Sequence, residues 1–121
     1  MPRLTQDSVQ STGAGHVKAL WLAGSCKANM GANAEALALL RQSWELSREV
    51  RDETGEIENV KIEICRWLAN QLYAGGMYGD AKTFLSELMR LLKRKGKAWR
   101  AYVAEAEQLS RAISDATRGI K

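Results

Sequence analysis

Pro2 is the only proline in this 121-residue chain. From Arg3 onward every residue keeps its backbone N–H and a free φ, so no residue type forbids helix. What interrupts the pattern is glycine and short polar clusters. They leave five stretches whose apolar residues recur at three-and-four spacing. The first runs from about His16 to Asn29 through Val17, Leu20, Trp21 and Gly24, and ends at Met30-Gly31-Ala32-Asn33. The second runs from Ala34 to about Val50 with Ala36, Leu39, Leu40, Ser43 and Leu46 on one face, and ends at Asp52-Glu53-Thr54-Gly55. The third spans about Glu56 to Ala74, with Gly75-Gly76 as its stop. The fourth spans about Tyr78 to Lys93, and the fifth begins near Ala98 after Lys95-Gly96-Lys97. Strand alternation is absent, and the expected fold is all-α.

Residues 1–15 are polar and small and read as a mobile leader. Gly13-Ala14-Gly15 has no Lys-Ser/Thr after it and no strand before it, so it is not a phosphate loop. Residues 16–121 then form a single helical domain, with hairpins at 16–50 and 56–94 and a fifth helix at 98–117.

A shift of 45 residues superimposes small residue on small residue at three places: Gly24 on Ala69, Gly31 on Gly76, Ala36 on Ala81. Leu20 on Cys65, Ala23 on Leu68, Leu40 on Leu85 and Leu46 on Leu91 follow in the same register. Two helices of a hairpin approach most closely where each carries a small side chain. A glycine in mid-helix costs about 1 kcal/mol relative to alanine, so Gly24 needs such a packing reason. Gly31 and Gly76 fall where the chain reverses, and a positive φ is cheap there only for glycine.

This order of small residue, glycine turn and early alanine resembles the tetratricopeptide repeat. The stretch from Trp44 to Ile57, WELSREVRDETGEI, is similar to the inter-repeat segment of the longer, roughly 40-residue repeats of Pins-type polarity scaffolds and kinesin light chains. The resemblance covers about Val17 to Leu92, with a third unit begun. Lys27 and Leu72 stand where the family often has an aromatic, and Arg48 and Lys93 where it commonly has proline. The resemblance implies antiparallel hairpins stacked as a short α-solenoid with a C-terminal capping helix. It also implies a protein-interaction scaffold or adaptor. Its groove would be lined by Lys18, Trp21, Ser25 and Asn29 from the first unit and Arg66, Asn70 and Tyr73 from the second. Arg and Asn suit a peptide backbone or acidic groups, and Trp and Tyr supply rigid contact area. Trp44, Trp67 and Trp99 read as core or inter-unit packing. An uncapped face on the first hairpin makes self-association a further expectation.

Charge is uneven within a net +4. Arg90, Lys93, Arg94, Lys95, Lys97 and Arg100 make one junction basic, while Glu45, Glu49, Asp52, Glu53, Glu56 and Glu58 make an earlier one acidic. The basic junction suits an acidic partner or nucleic acid, with Trp99 and Tyr102 beside the cations. Trp67-Leu-Ala-x-x-Leu-Tyr-x-x-x-Met-Tyr-Gly-Asp80, with Val60-Lys-Ile-Glu63 before it, is also similar to a segment of phage small terminase subunits. That gives the alternative, an oligomeric nucleic-acid-binding adaptor using the 90–100 junction. An enzyme is not expected. His16 is the only histidine, the carboxylates fall on exposed faces, and no Glu-x-x-His motif exists to hold a metal. No cofactor is expected. No apolar run approaches the roughly 20 residues of a membrane span. Cys26 and Cys65 read as buried reduced thiols, and the expected compartment is the cytoplasm.

Overall fold

The computed structural model describes residues 2–52 and 54–118, with side chains from residue 13 onward. The described residues are helical throughout their regular structure: α1 (Pro2–Asn29), α2 (Asn33–Glu49), α3 (Glu56–Ala74), α4 (Tyr78–Leu92) and α5 (Arg100–Arg118), with one 3-10 turn at Lys97–Trp99 before α5. Each helix end after the first lies within a few residues of a glycine or polar stop legible in the sequence.

Helix α1 is the exception. It starts at Pro2, not near His16, so the leader expected at 1–15 is helical from its second residue. Proline is accepted in the first turn, where its missing N–H has no partner to lose. Nothing after it breaks the helix. Its early residues lack an apolar stripe, and periodicity therefore gives no sign of where it begins. Of the expected mobile leader at 1–15, Met1 and the side chains of residues 2–12 lie outside the described residues.

The chain divides into two compact units, Met1–Ile64 and Cys65–Lys121. The division falls inside α3, not at the loop before it. The first turns of α3 pack in the first unit, because Ile57 and Val60 are buried and Glu56 pairs with Lys18 of α1.

In the first unit α1 packs along α2. A Cβ built on Gly24 would lie 2.8 Å from Leu40 Cγ and 3.3 Å from the Leu40 backbone N. The helices touch closely because glycine stands there. Ala36 and Leu40 are fully buried, and the Ser43 hydroxyl donates to the Val17 carbonyl at 2.9 Å across the pair. Burying a side chain such as Leu40 contributes about 2 kcal/mol. In the second unit Leu68, Ala69, Leu72, Ala81 and Leu85 are buried, and α4 packs against α5, whose Ala106 and Ile113 face inward.

The two units contain one turn twice. Gly31 and Gly76 have φ of +81° and +77°. The residues after them, Ala32 and Met77, have φ/ψ of −83°/70° and −89°/67°. Ala32 N donates to Lys27 O and Met77 N to Leu72 O, both at 2.9 Å. Gly31 N to Ala28 O at 3.1 Å matches Gly76 N to Tyr73 O at 3.0 Å. Every one of these pairs is 45 residues apart. The register holds less well for some side chains, since Ala23 is exposed while Leu68 is buried.

Candidate functional site

The nominated groove residues divide between the units, and those of the first unit are largely occupied. The Lys18 ammonium pairs with the Glu56 carboxylate. Ser25 is only 8% exposed and its hydroxyl donates to Leu22 O of its own helix, so it is not presented to a ligand as expected. A short hydroxyl on a helix finds a carbonyl three or four residues back more readily than a partner outside. Trp21 is half-buried, with its indole Nε1 buried and without a hydrogen-bond partner. Asn29 is exposed at the end of α1. Cys26, expected inside, is exposed, whereas Cys65 is buried; the two are not joined in a disulfide. Leu22, four residues before Cys26 on α1, and Met30, just past the end of α1, are also exposed.

In the second unit the polar residues converge. Arg66 Nε donates to Glu105 Oε1 at 2.8 Å, joining α3 to α5. The Arg66 guanidinium also lies over the Tyr102 ring, 5.1 Å from its centroid. Asn70 Nδ2 donates to Arg66 O at 2.8 Å. An open pocket of about 230 Å³ is lined by Arg66, Trp67, Asn70, Gln71 and Glu105. Helical spacing makes this possible, since Arg66 and Asn70, and likewise Trp67 and Gln71, are four apart and share a face. The Gln71 Oε1 is buried with no donor, which is unusual for a buried carboxamide. Tyr73 is half-buried and faces Tyr78 across the turn, ring centroids 5.7 Å apart.

Of the seven nominated groove residues, Arg66 and Asn70 therefore lie at one pocket. Tyr73 does not line it. Glu105, Trp67 and Gln71 line it and were not nominated. The spacing of Trp67 and Gln71 from Arg66 and Asn70 carried that information. Glu105 carried none, being a helix away in sequence.

Among the cations, Arg90 is paired with Glu87, and Lys95 Nζ lies 5.8 Å from the Trp99 ring centroid. Trp99 meets Tyr102 edge-on at 5.1 Å with an interplanar angle of 78°. Lys93, Arg94, Lys97 and Arg100 are exposed. Trp44, Trp67 and Trp99, expected as packing residues, are all half-buried. At the acidic junction Asp52 is engaged by backbone: its Oδ1 accepts from Gly55 N at 2.9 Å and Ile57 N at 3.2 Å, and its Oδ2 from Glu58 N at 3.0 Å. Glu53 lies outside the described residues.

Among the described residues no three His, Cys, Asp or Glu gather as a metal site, and no helix is long and apolar enough to cross a membrane. No protein-family model matches the chain, and no curated protein or solved structure matches it significantly.

Proposed function

We propose that this chain is a non-catalytic protein-interaction module of tetratricopeptide-like design, working in the cytoplasm and binding a peptide segment of its partner at the second unit. The observation that carries this reading is the open pocket lined by Arg66, Trp67, Asn70, Gln71 and Glu105. It combines what peptide recognition needs: a rigid aromatic surface, carboxamides that match a peptide's N–H and C=O groups, and a charge pair that fixes orientation. The turn repeated at 45 residues supports the tetratricopeptide-like part, since such hairpins stack and present one helix of each pair to a ligand.

A pull-down with the wild-type chain against Arg66→Glu and Tyr73→Ala tests this reading. Arg66→Glu replaces the donor to Glu105 with a second carboxylate and is expected to abolish capture of the partner. Tyr73→Ala removes a neighbouring aromatic and is expected to weaken capture of the same partner. Unchanged capture by both variants would end the proposal.

A further inference from the structure

Lys93, Lys97 and Arg100 of the basic junction are exposed. The acidic junction differs: Asp52 holds three backbone N–H groups, Glu56 pairs with Lys18 and Glu45 with Arg48. Helix dipoles do not account for the basic cluster. The C-terminus of α4 carries about half a negative charge, less than Arg90 and Lys93 already supply. Lys97 and Arg100 stand at the start of α5, which has no acidic residue in its first turn, and there a cation opposes the dipole.

One cation of the cluster, Lys95, connects to the pocket through a series of side-chain contacts. Lys95 lies over Trp99, Trp99 meets Tyr102, Tyr102 lies beneath Arg66, and Arg66 bonds Glu105 at the pocket wall. Two features that look separate in sequence, the basic junction and Arg66, are thus linked through Lys95 within the second unit.

We infer that this edge binds an acidic stretch of the partner peptide, next to a neutral part held in the pocket; the inference rests on the peptide-binding reading above. An acidic peptide fits better than a nucleic acid for two reasons. A phosphate chain running from the edge into the pocket would meet the Glu105 carboxylate, whereas a peptide can change from acidic to neutral residues along its length. Trp99 and Tyr102 also meet edge-on, so they offer no pair of parallel faces for successive bases.

Fluorescence anisotropy on the full chain tests the inference with three labelled probes: poly-glutamate, poly-glutamine and single-stranded oligothymidylate. Poly-glutamate is expected to bind best of the three. The combined Lys93→Glu, Lys97→Glu, Arg100→Glu variant is expected to weaken it about tenfold or more, three exposed charges being reversed together. Lys82→Glu, an exposed cation elsewhere on α4, is expected to leave it unchanged. The neutral combination Lys93→Gln, Lys97→Gln, Arg100→Gln is expected to flatten the salt dependence, a readout that a folding defect alone would not mimic. Poly-glutamate affinity unchanged in the triple variant overturns the inference. Oligothymidylate binding more tightly than poly-glutamate overturns it in favour of nucleic acid. Loss of poly-glutamate in the triple variant, with Arg66→Glu still capturing the partner, would sink the pocket reading while leaving an anion-binding edge.

Discussion

The two turns of this molecule share a backbone and differ in what their helices carry. Around Gly31 and Gly76 the backbone angles and hydrogen bonds repeat, yet the residues 45 apart differ in chemistry. Gly24 stands against Leu40, while Ala69 occupies the matching place. Trp21 holds a buried indole N–H without a partner, while Arg66 holds Glu105 and Tyr102. Ser25 turns its hydroxyl onto its own helix and is buried, while Asn70 is exposed. A backbone used twice is free to specialise. The first region carries its helix contact on glycine and turns Ser25 and Ser43 inward; the second brings Arg66 and Asn70 to a pocket.

The largest expected effect tests the close contact that is peculiar to the first copy. Leu40→Ala should destabilise the chain by about 2–5 kcal/mol, as truncation of a fully buried leucine does. Gly24→Ala should also destabilise, because its new Cβ meets Leu40 at 2.8 Å and overpacking costs about 1–3 kcal/mol against about 1 kcal/mol gained in helix propensity. The double variant should be less unstable than the two losses added, since the alanine at 24 fills space vacated at 40. Chemical denaturation of the four proteins gives the coupling. Strict additivity would mean that Gly24 and Leu40 do not constrain each other, and the contrast between the copies would lose its structural cause.

Next in size is the feature the copies share. Gly31→Ala and Gly76→Ala should each cost about 1–2 kcal/mol, because both positions have φ near +80° and nothing within 4 Å of the added Cβ. The two losses should agree closely. A clear difference in denaturation midpoint between them would show that the turns are not equivalent.

These turns were the most legible part of the sequence. Glycine followed by small or apolar residues at fixed spacing has one cheap backbone solution, and the side chain that reveals it is the one that is missing. The stops at 30–33, 52–55, 75–76 and 95–97 were legible for the same reason. The beginning of α1 was not, since helix there follows from the absence of breakers and leaves no stripe to read. The burial of Ser25 and the exposure of Cys26 were hidden by the weak contrast of a helix with small and apolar residues on several faces. Four of the five pocket residues were within reach, because Arg66, Trp67, Asn70 and Gln71 lie within a turn and a half of one helix. Glu105 was out of reach: its meeting with Arg66 depends on how α5 packs, and no local pattern records that.

A smaller effect separates the interiors. Ser43→Ala should cost about 1 kcal/mol, the worth of a buried hydroxyl-to-carbonyl bond, because Val17 O keeps its place in the helix when the Ser43 donor is removed. The matching residue in the second copy is Leu88, which is buried without any such bond. Leu88→Ala should cost about 2–5 kcal/mol by lost contact and cavity, several times more than Ser43→Ala. Thermal unfolding of the pair ranks them, and equal losses would mean that the two copies hold their second helices by the same means.

The smallest effect on stability is the most informative about function. Ser25→Ala and Asn70→Ala each remove one side-chain bond to the residue's own helix, to Leu22 O and Arg66 O. Alanine raises helix propensity at both sites, so each variant should unfold within about 0.5 kcal/mol of the wild type. Binding should separate them. Asn70 lines the pocket, so its loss should weaken capture of the partner that Arg66→Glu abolishes, whereas Ser25→Ala should leave capture unchanged. The two substitutions sit 45 residues apart, each before a turn of the same backbone form, and each removes a side-chain bond to its own helix, so a difference in capture at equal stability reports the difference between the two regions alone. Equal loss of capture would instead assign the ligand to both units, and the division of labour argued from Trp21 and Arg66 would fall.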